Sequence, residues 1–187
     1  MTVPADLDRR FRDAAAEEGL LDVAYDVMES PIGPLLVGVS GRGVCRISFD
    51  PDAEAERESL AARLGPRVLR AGRRVEPVRR QLDEYFEGLR QEFELEYDLA
   101  GLPAFQQAVL HELVRIPYAR TSTYGALAAR IGRPRAARAV GGALNRNPVP
   151  IVVPCHRIVG STGSLVGYGG GLERKQALLE LEGALLA

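Results

Sequence analysis

The stretch TSTYGALAARIGRPRAARAVGGALNRNP, residues 121–148, decides the fold of the second half of this chain. Its first part predicts a helix that is capped by Ser122 or Thr123 and ended by Gly132. Its second part predicts another helix, which the Asn-Pro dipeptide at the end of the stretch stops. Two short helices joined by a glycine-containing turn form a helix-turn-helix pattern.

A cysteine-histidine pair follows this pattern along the chain. The sequence IVVPCHRIVG, residues 151–160, contains one of only two cysteines, Cys155, and places His156 directly after it. The glycine-rich loop VGSTGSLVGYGGG comes next. The sequence LERKQALLELEG, residues 172–183, then predicts a final helix.

The first half of the chain mixes strand and helix patterns. The runs Leu35–Val39 and Gly43–Phe49, separated by SGRG, predict a β-hairpin. Helices are predicted at 51–65, starting after Asp50-Pro51, at 75–90 and at 104–117. The second of these has apolar residues at helical spacing, namely Val78, Leu82, Tyr85, Phe86 and Leu89. A strand with one solvent-exposed face is predicted at 92–99. The linker AGLP, residues 100–103, marks a change from acidic to basic composition. These patterns predict an α/β (α+β) chain with a charged, partly helical extension at 1–24, an α/β domain at 25–100 and a helical domain at 101–187.

The net charge of −1 gives no reason to expect a nucleic acid partner, but the distribution of charge does. Of the 25 acidic residues, 22 lie at or before Glu112, and none lies between residues 113 and 172. That window holds eight arginines, namely Arg115, Arg120, Arg130, Arg133, Arg135, Arg138, Arg146 and Arg157. Such asymmetry indicates a polyanionic partner, although chance depletion of acids in a Gly/Ala-rich segment is the alternative.

Composition also restricts the location and the chemistry of the protein. A mean hydropathy of −0.07, with no long apolar run and no signal-peptide pattern, predicts a cytoplasmic protein without a membrane partner. Two cysteines and two histidines without CxxC or HxxxH spacing argue against structural zinc, so no metal is expected. Cys45 is interpreted as a core residue and His111 as a helix-surface residue.

The residues alone leave the role of Cys155 open between a core cysteine and a nucleophile. Neighbouring side chains of a strand point to opposite faces, so His156 could assist Cys155 only if the backbone turns, and Pro154 favours a bend. A histidine base also needs a carboxylate to orient it. The basic half offers three, Glu173, Glu180 and Glu182.

The sequence NPVPIVVPCHRIVGS, followed by GYGGGLERKQALLELEG, resembles the signature of the O6-alkylguanine-DNA alkyltransferases, also called methylated-DNA–protein-cysteine methyltransferases. The resemblance includes FQQAVLHELVRIPYARTSTYGALAARIG and RAARAVGGALNRNP. More weakly, it covers SPIGPLLVGVSGRGVCRISF and LDEYFEGLRQEFEL in the first half. It implies a ribonuclease-H-like first domain and a winged-helix-like second domain.

The resemblance also implies a reaction. Cys155 would attack the alkyl carbon on O6 of a guanine flipped out of duplex DNA, and the thioether formed would end the activity of that molecule. No cofactor is expected. The partner would be double-stranded DNA that contains O6-alkylguanine. Activity on O4-alkylthymine is left open, and a monomer is expected, with cooperative assembly on DNA as an alternative.

The roles of individual residues follow from the same resemblance. His156 would act as a general base through a water molecule, and Glu182 would orient it. Asn147 would brace the turn before Cys155 by hydrogen bonds to the backbone. Tyr124 would help to swing the nucleotide out and would donate to guanine N3.

Further residues are assigned to DNA and to the base pocket. Arg138 would fill the stack that the flipped base leaves, and small residues on its helix would let the backbone approach the minor groove. The expected DNA contacts are Thr123, Tyr124, Ala136, Ala137, Arg138 and Gly141, and the expected pocket rim is Pro150, Ile158, Val159, Tyr168, Gly169 and Gly170. Many relatives carry Ser or Ala at the position of Gly169, so a hydroxyl donor is missing here. Lys175 matches a family lysine that would brace the pocket loop, with a solvated helix charge as the alternative.

Three other functions compete with alkyl transfer. A lesion-binding module without catalysis would replace the cysteine, which is present here. A transcription factor would present Arg, Asn or Gln to base edges, in which the helix RAARAVGGALN is poor. A cysteine hydrolase shares the Cys-His pair but would turn over repeatedly.

Overall fold

The computed structural model describes residues 4–49 and 52–184, and the chain divides into two compact units. The first unit ends at Gly101 and the second begins at Leu102, except that Gly88–Phe93 belongs to the second. The helix-start signal at Asp50-Pro51 and the outermost residues of the predicted extension and of the C-terminal domain lie outside the described residues. No helix in the described ranges combines the length and the apolar character needed to cross a lipid bilayer.

The first unit is a four-stranded sheet with three helices. Its elements are α1 (Ala5–Glu17), β1 (Val23–Met28), β2 (Leu35–Ser40), β3 (Gly43–Ser48), α2 (Ala53–Leu64), β4 (Val68–Arg70) and α3 (Gly72–Phe86). The strand order is β3-β2-β1-β4, antiparallel throughout except that β4 runs parallel to β1. Every residue of β2 is buried, as its continuous apolar sequence requires at the centre of a sheet.

The hairpin prediction is confirmed by β2 and β3. The hydroxyl of Ser40 accepts a hydrogen bond from the backbone N–H of Arg42 in the turn, at 3.1 Å. Gly43 starts β3 with φ of +122°, and a Cβ at this position would lie 2.2 Å from the carbonyl oxygen of Glu96. Only glycine satisfies both conditions.

The predicted strand at 92–99 is wrong, because this segment forms only an isolated bridge between Tyr97 and Val44. The side chain of Gln81 makes hydrogen bonds to this backbone of the kind that a neighbouring strand would make. Its amide donates to the carbonyl of Glu94 at 3.3 Å and accepts from the N–H of Glu94 at 2.9 Å. The apolar pattern of α3 also fails at Leu89, which is 76% exposed because the helix ends at Phe86.

Two strands of the first unit were not predicted. β1 lies inside a stretch rich in helix formers and begins at Val23, so the boundary after residue 24 falls within a strand. β4 is only three residues long, too short for a periodic pattern to indicate. Both depend on pairing with β2 or with each other rather than on local preference.

The second unit is helical and carries the helix-turn-helix. Its elements are α4 (Ala104–Leu113), β5 (Ser122–Thr123), α5 (Tyr124–Arg130), α6 (Ala137–Asn145), a 3₁₀ turn (Cys155–Arg157), β6 (Ile158–Val159) and α7 (Leu172–Leu181). Thr123 caps α5, since its hydroxyl accepts from the N–H of Ala126 at 3.1 Å. β5 pairs in parallel with β6, which ties the start of the helix-turn-helix to the segment directly after Cys155. The predicted fold class, a small α/β domain followed by a helical domain, is confirmed.

Candidate active site

Cys155 lies on a tight turn and not on a strand. Pro154 precedes a single 3₁₀ turn of three residues, in which the N–H of Arg157 donates to the carbonyl of Pro154 at 3.0 Å. The N–H of Cys155 donates to the carbonyl of Val153 at 2.9 Å. The backbone therefore bends between Cys155 and His156, which the period of a strand would not allow.

Asn147 closes the loop that leads to Cys155. Its Oδ1 accepts from the N–H of Val149 at 3.1 Å, and its Nδ2 donates to the carbonyl of Val153 at 2.8 Å. The same Nδ2 lies 3.2 Å from the Sγ of Cys155 and donates to it. Within this loop Ile151 adopts φ of +75°, a left-handed conformation that is strained for a β-branched residue. The side chain of Asn147 thus holds a strained loop and touches the sulfur.

The Cys155 thiol is held in its protonated form. Burial raises its pKa to about 11, against the opposing effects of the hydrogen bond from Asn147 and the positive charge of Lys175. A thiol of this kind becomes a nucleophile only when a base removes its proton. The site therefore needs a base close to Cys155.

His156 supplies a candidate base. The ring is fully buried, and its Nε2 lies 2.8 Å from Oε1 of Glu182. Burial lowers the pKa of His156, although its contact with Glu182 opposes this effect. A neutral imidazole that donates from Nε2 to a carboxylate keeps a lone pair on Nδ1, and Nδ1 has no hydrogen-bond partner among the described residues.

Glu182 is the glutamate that orients His156. It follows the last residue of α7, and its Oε2 also accepts from the N–H of Ala119 at 3.2 Å. Burial alone would raise the pKa of Glu182, but hydrogen bonds from His156 and Arg157 lower it to about 2. Glu182 is therefore an anion at neutral pH. Among the described residues, neither of the other two candidate glutamates contacts the ring.

Arg157 also belongs to this site, although its sequence context indicated only that it is one of the arginines of the basic half. Its Nε lies 2.9 Å from Oε2 of Glu182, and its NH2 lies 3.0 Å from Oε1. Its NH1 donates to the carbonyl of Ile116 at 2.6 Å, and the side chain is buried. One signal could have indicated this role. Arg157 is the only Lys, Arg, Asp or Glu between residues 147 and 167, a stretch otherwise rich in apolar residues and glycine.

A cavity of about 430 Å³ opens onto Cys155. It is lined by Tyr124, Gly141, Gly142, Leu144, Asn145, Cys155, Val166, Gly167, Tyr168 and Gly169. Of the six residues predicted for the pocket rim, Tyr168 and Gly169 are in this lining. Pro150, Ile158, Val159 and Gly170 are not part of it and are buried instead. Ile158 and Val159 form β6, whose pairing with β5 directs them into the interior.

Tyr124 and Lys175 hold the loop that forms one wall of the cavity. The hydroxyl of Tyr124 donates to the carbonyls of Val166 and Gly167, at 3.0 and 3.3 Å. Lys175 is fully buried, and its Nζ donates to the carbonyls of Ile158 at 2.5 Å and Val166 at 2.7 Å. Lys175 is thus no solvated helix charge. Its ammonium joins Ile158 of β6 to Val166, in the middle of the loop between β6 and α7.

The helix-turn-helix exposes a group of cations beside the cavity. Arg138 is exposed near the start of α6, Ala136 and Ala137 form that start, and Gly141 lies against the Tyr124 ring. Five arginines of this region are exposed, namely Arg130, Arg133, Arg135, Arg138 and Arg146. Within residues 4–49 and 52–184, none of these five forms an ion pair. Unpaired surface arginines are available to phosphate groups.

The remaining candidate residues lie away from the site. Cys45 is fully buried in the first unit, where burial raises its pKa to about 12. His111 lies on the exposed face of α4. In the described part of the chain, no three His, Cys, Asp or Glu side chains are grouped in a way that could hold a metal ion.

Two family models match the chain, one in each unit. The model described as the ribonuclease-like domain of 6-O-methylguanine DNA methyltransferase matches residues 23–99. The model described as the DNA binding domain of 6-O-methylguanine DNA methyltransferase matches residues 104–184. Together they cover the sheet of the first unit and every element of the candidate site.

Curated proteins and solved structures agree with these models. A methylated-DNA–protein-cysteine methyltransferase of Mycolicibacterium paratuberculosis is 56% identical over 163 residues, 86% of this chain and 92% of that protein. One from Mycobacterium leprae is 46% identical over 156 residues, 83% of this chain and 89% of that protein. The structure of the Mycobacterium tuberculosis O6-methylguanine methyltransferase superposes with a TM-score of 0.74 at 43% identity, covering 86% of this chain and 92% of that one. A structure of the Mycobacterium tuberculosis OGT in complex with DNA gives a TM-score of 0.72 at 41% identity, over 85% of this chain and 92% of that one.

Proposed function

This chain belongs to the 6-O-methylguanine DNA methyltransferase family, and we propose that Cys155 is the residue that receives the alkyl group. The protein repairs DNA by direct reversal, moving the alkyl group of a damaged base to one of its own cysteines. One observation carries the assignment to Cys155. Cys155 lines a cavity whereas Cys45 is fully buried, and the sulfur of Cys155 accepts a hydrogen bond from Asn147 beside a buried His–Glu pair.

The reaction begins with the transfer of a proton from Cys155. Nδ1 of His156 takes the thiol proton through a bridging water, and Glu182 stabilises the imidazolium that forms. The sulfur attacks the alkyl carbon of O6-alkylguanine. As the S–C bond forms, the C–O6 bond breaks and its electron pair passes to the guanine. As the base enters, the Tyr124 hydroxyl leaves the carbonyls of Val166 and Gly167 and donates to guanine N3, which stabilises the departing base. The guanine then takes up, through the bridging water, the proton that His156 received.

DNA binds to the exposed face of the helix-turn-helix. The unpaired arginines contact phosphates, which makes binding independent of sequence and sensitive to salt. Arg138 occupies the stack that the flipped base leaves, and the small residues at the start of α6 let the helix lie close to the minor groove. Tyr124 crowds the phosphate of the target nucleotide, and the base enters the cavity beside Tyr168 and Gly169.

Several further properties belong to the same proposal. The boundary between a first domain and a catalytic, DNA-binding second domain lies near residue 100, and residues before β1 form an extension. The protein acts in the cytoplasm as a monomer on duplex DNA, and no cofactor takes part. Cooperative assembly on DNA is the alternative to a monomer, and binding isotherms would distinguish the two. Repair of O4-alkylthymine is left open, and a panel of substrates would test it.

The test is the mass of the intact protein after incubation with an O6-methylguanine duplex. Wild-type protein and Cys45→Ser are expected to gain one methyl group each, and Cys155→Ser none, because Cys45 lies in a core without access to DNA. DNA binding without a gain in mass would contradict the proposal and support a lesion-binding module. Release of product in many turnovers would support a hydrolase.

A further inference from the structure

Arg157 is the last residue of the 3₁₀ turn that begins at Cys155, and its side chain connects this turn to two other segments of the second unit. Its guanidinium donates to both carboxylate oxygens of Glu182, and a third nitrogen donates to the carbonyl of Ile116. The guanidinium carbon lies 5.8 Å from the centroid of the Tyr118 ring. The hydroxyl of Tyr118 donates to the carbonyl of Leu181 at 3.2 Å. All of these contacts surround the carboxylate that orients His156.

The contacts of Arg157 decide how the charge of Glu182 acts on His156. His156 is 0% exposed and Glu182 is 4% exposed, so little water screens either group. A buried carboxylate that contacts an imidazole without a neighbouring cation attracts a proton to the pair. That proton either produces an imidazolium, or it sits on the carboxyl group and shifts the ring to the Nδ1–H tautomer. In both cases Nδ1 carries a proton and can no longer accept one.

We propose that Arg157 is a positioning residue that offsets the charge of Glu182 and thereby keeps Nδ1 of His156 free to act as the base. This role rests on the proposed function, because it concerns the base that serves Cys155. Three charged groups act on His156: the Lys175 ammonium from α7, Glu182 as the residue that follows α7, and Arg157 from the same 3₁₀ turn as His156. Lys175 donates to backbone carbonyls, whereas Arg157 contacts the carboxylate itself.

The protonation of His156 can be measured directly, because the chain contains only two histidines. Nitrogen NMR of ¹⁵N-histidine-labelled protein distinguishes a protonated Nδ1 from an unprotonated one. The exposed His111 is an internal reference, whose nitrogen signals are expected to be the same in every variant. In the wild-type protein at neutral pH, Nδ1 of His156 is expected to be unprotonated. A protonated Nδ1 in the wild type would overturn the proposal, whatever the variants do.

Three variants separate charge from structure. Arg157→Met and Arg157→Gln remove the positive charge, and Nδ1 is expected to become protonated at neutral pH in whichever of them folds. Arg157→Lys keeps the charge, and Nδ1 is expected to stay unprotonated although the contact with Ile116 is lost. An Nδ1 that stays unprotonated in a folded neutral variant would overturn the proposal.

The rate of alkyl transfer provides the second readout. In the neutral variants the single-turnover rate at neutral pH is expected to fall at least tenfold, and its acid limb to move up by about one pH unit or more, as expected for loss of a nearby cation. Arg157→Lys is expected to keep the wild-type acid limb. A neutral variant whose rate falls equally at every pH would point to a purely structural role and against the proposal. The NMR measurement needs no DNA, so a failure of alkyl transfer itself would appear separately, as wild-type protein without a gain in mass.

Discussion

Replacing Asn147 by alanine removes the side chain that closes the loop before Cys155. The hydrogen bonds to the backbone of Val149 and Val153, and the one to the sulfur of Cys155, are all lost. Val149 and Val153 are fully buried, so water cannot replace the missing partner. We expect Asn147→Ala to lower both the stability of the protein and the rate of alkyl transfer.

The expected loss of stability follows from counting the groups left without a partner. The N–H of Val149 has no other acceptor among the described residues, which costs about 1–3 kcal/mol. The carbonyl of Val153 keeps a bond from the N–H of Cys155, so its loss costs about 1 kcal/mol. The sum is about 2–4 kcal/mol. For a chain of this length it corresponds to a fall in Tm of about 5–15 °C.

Asn145 provides the matched control for this measurement. It is the only other asparagine of the chain, lies two residues earlier and is exposed. Thermal unfolding followed by circular dichroism is expected to show Asn145→Ala within about 0.5 kcal/mol of the wild type. A fall in Tm of less than about 2 °C for Asn147→Ala would refute the reasoning, since it is below the smallest loss that a buried unsatisfied N–H implies.

Three further changes have defined outcomes. Lys175→Met removes the ammonium that joins the carbonyls of Ile158 and Val166 beside the cavity, so single-turnover transfer is expected to slow at least about tenfold while DNA affinity stays within about twofold. Equal transfer rates would contradict this role. Glu182 has a folded pKa of about 2 against an ordinary value of 4.5, so the stability that its ionised form contributes is complete above pH 4.5 and is lost as pH falls toward 2. In urea unfolding, the stability difference between the wild type and Glu182→Gln should therefore shrink below pH 4.5, and a constant difference would be inconsistent with the lowered pKa. In Gly169→Ala the new Cβ would lie 3.1 Å from the carbonyl oxygen of Asn145, which narrows the cavity. The rate of transfer from O6-benzylguanine should therefore fall more than the rate of transfer from O6-methylguanine. Equal reductions would argue against a cavity that limits the size of the alkyl group.

The parts of the fold that sequence predicted are those with a local cause. The hairpin has a turn that demands glycine at Gly43, and the helix-turn-helix has a capping hydroxyl at Thr123. The segment 92–99 alternates like a strand, yet the backbone of Glu94 pairs with the side chain of Gln81. Gln81 lies 13 residues before Glu94, and a contact of this kind leaves no periodic pattern in the sequence. The two-residue strands β5 and β6 are likewise too short to produce an alternating pattern in the sequence.

The candidate site shows the same division between local and distant causes. Composition restricted the orienting carboxylate to three glutamates, and a hydrogen bond that only tertiary structure creates distinguishes Glu182 from the others. The contacts of Arg157 with Glu182 and Ile116 span 25 and 41 residues, so no local pattern could indicate them. Ala119, whose N–H donates to Glu182, has φ of +57°, and an alanine in the sequence does not predict this left-handed conformation.

A raised thiol pKa suits a protein that reacts only once. Oxidants and adventitious alkylating agents attack thiolates, so a Cys155 thiol with a pKa of about 11 resists both while the protein searches DNA. A low pKa would instead speed the attack but would also expose the single nucleophile to loss before it meets a lesion. In the proposed reaction this conflict does not arise, because His156, whose pKa burial lowers, acts as the base for a protonated Cys155 thiol. The proton can then leave when an alkyl carbon is in line with the sulfur, and the thioether that forms has no base-assisted route back to the thiol.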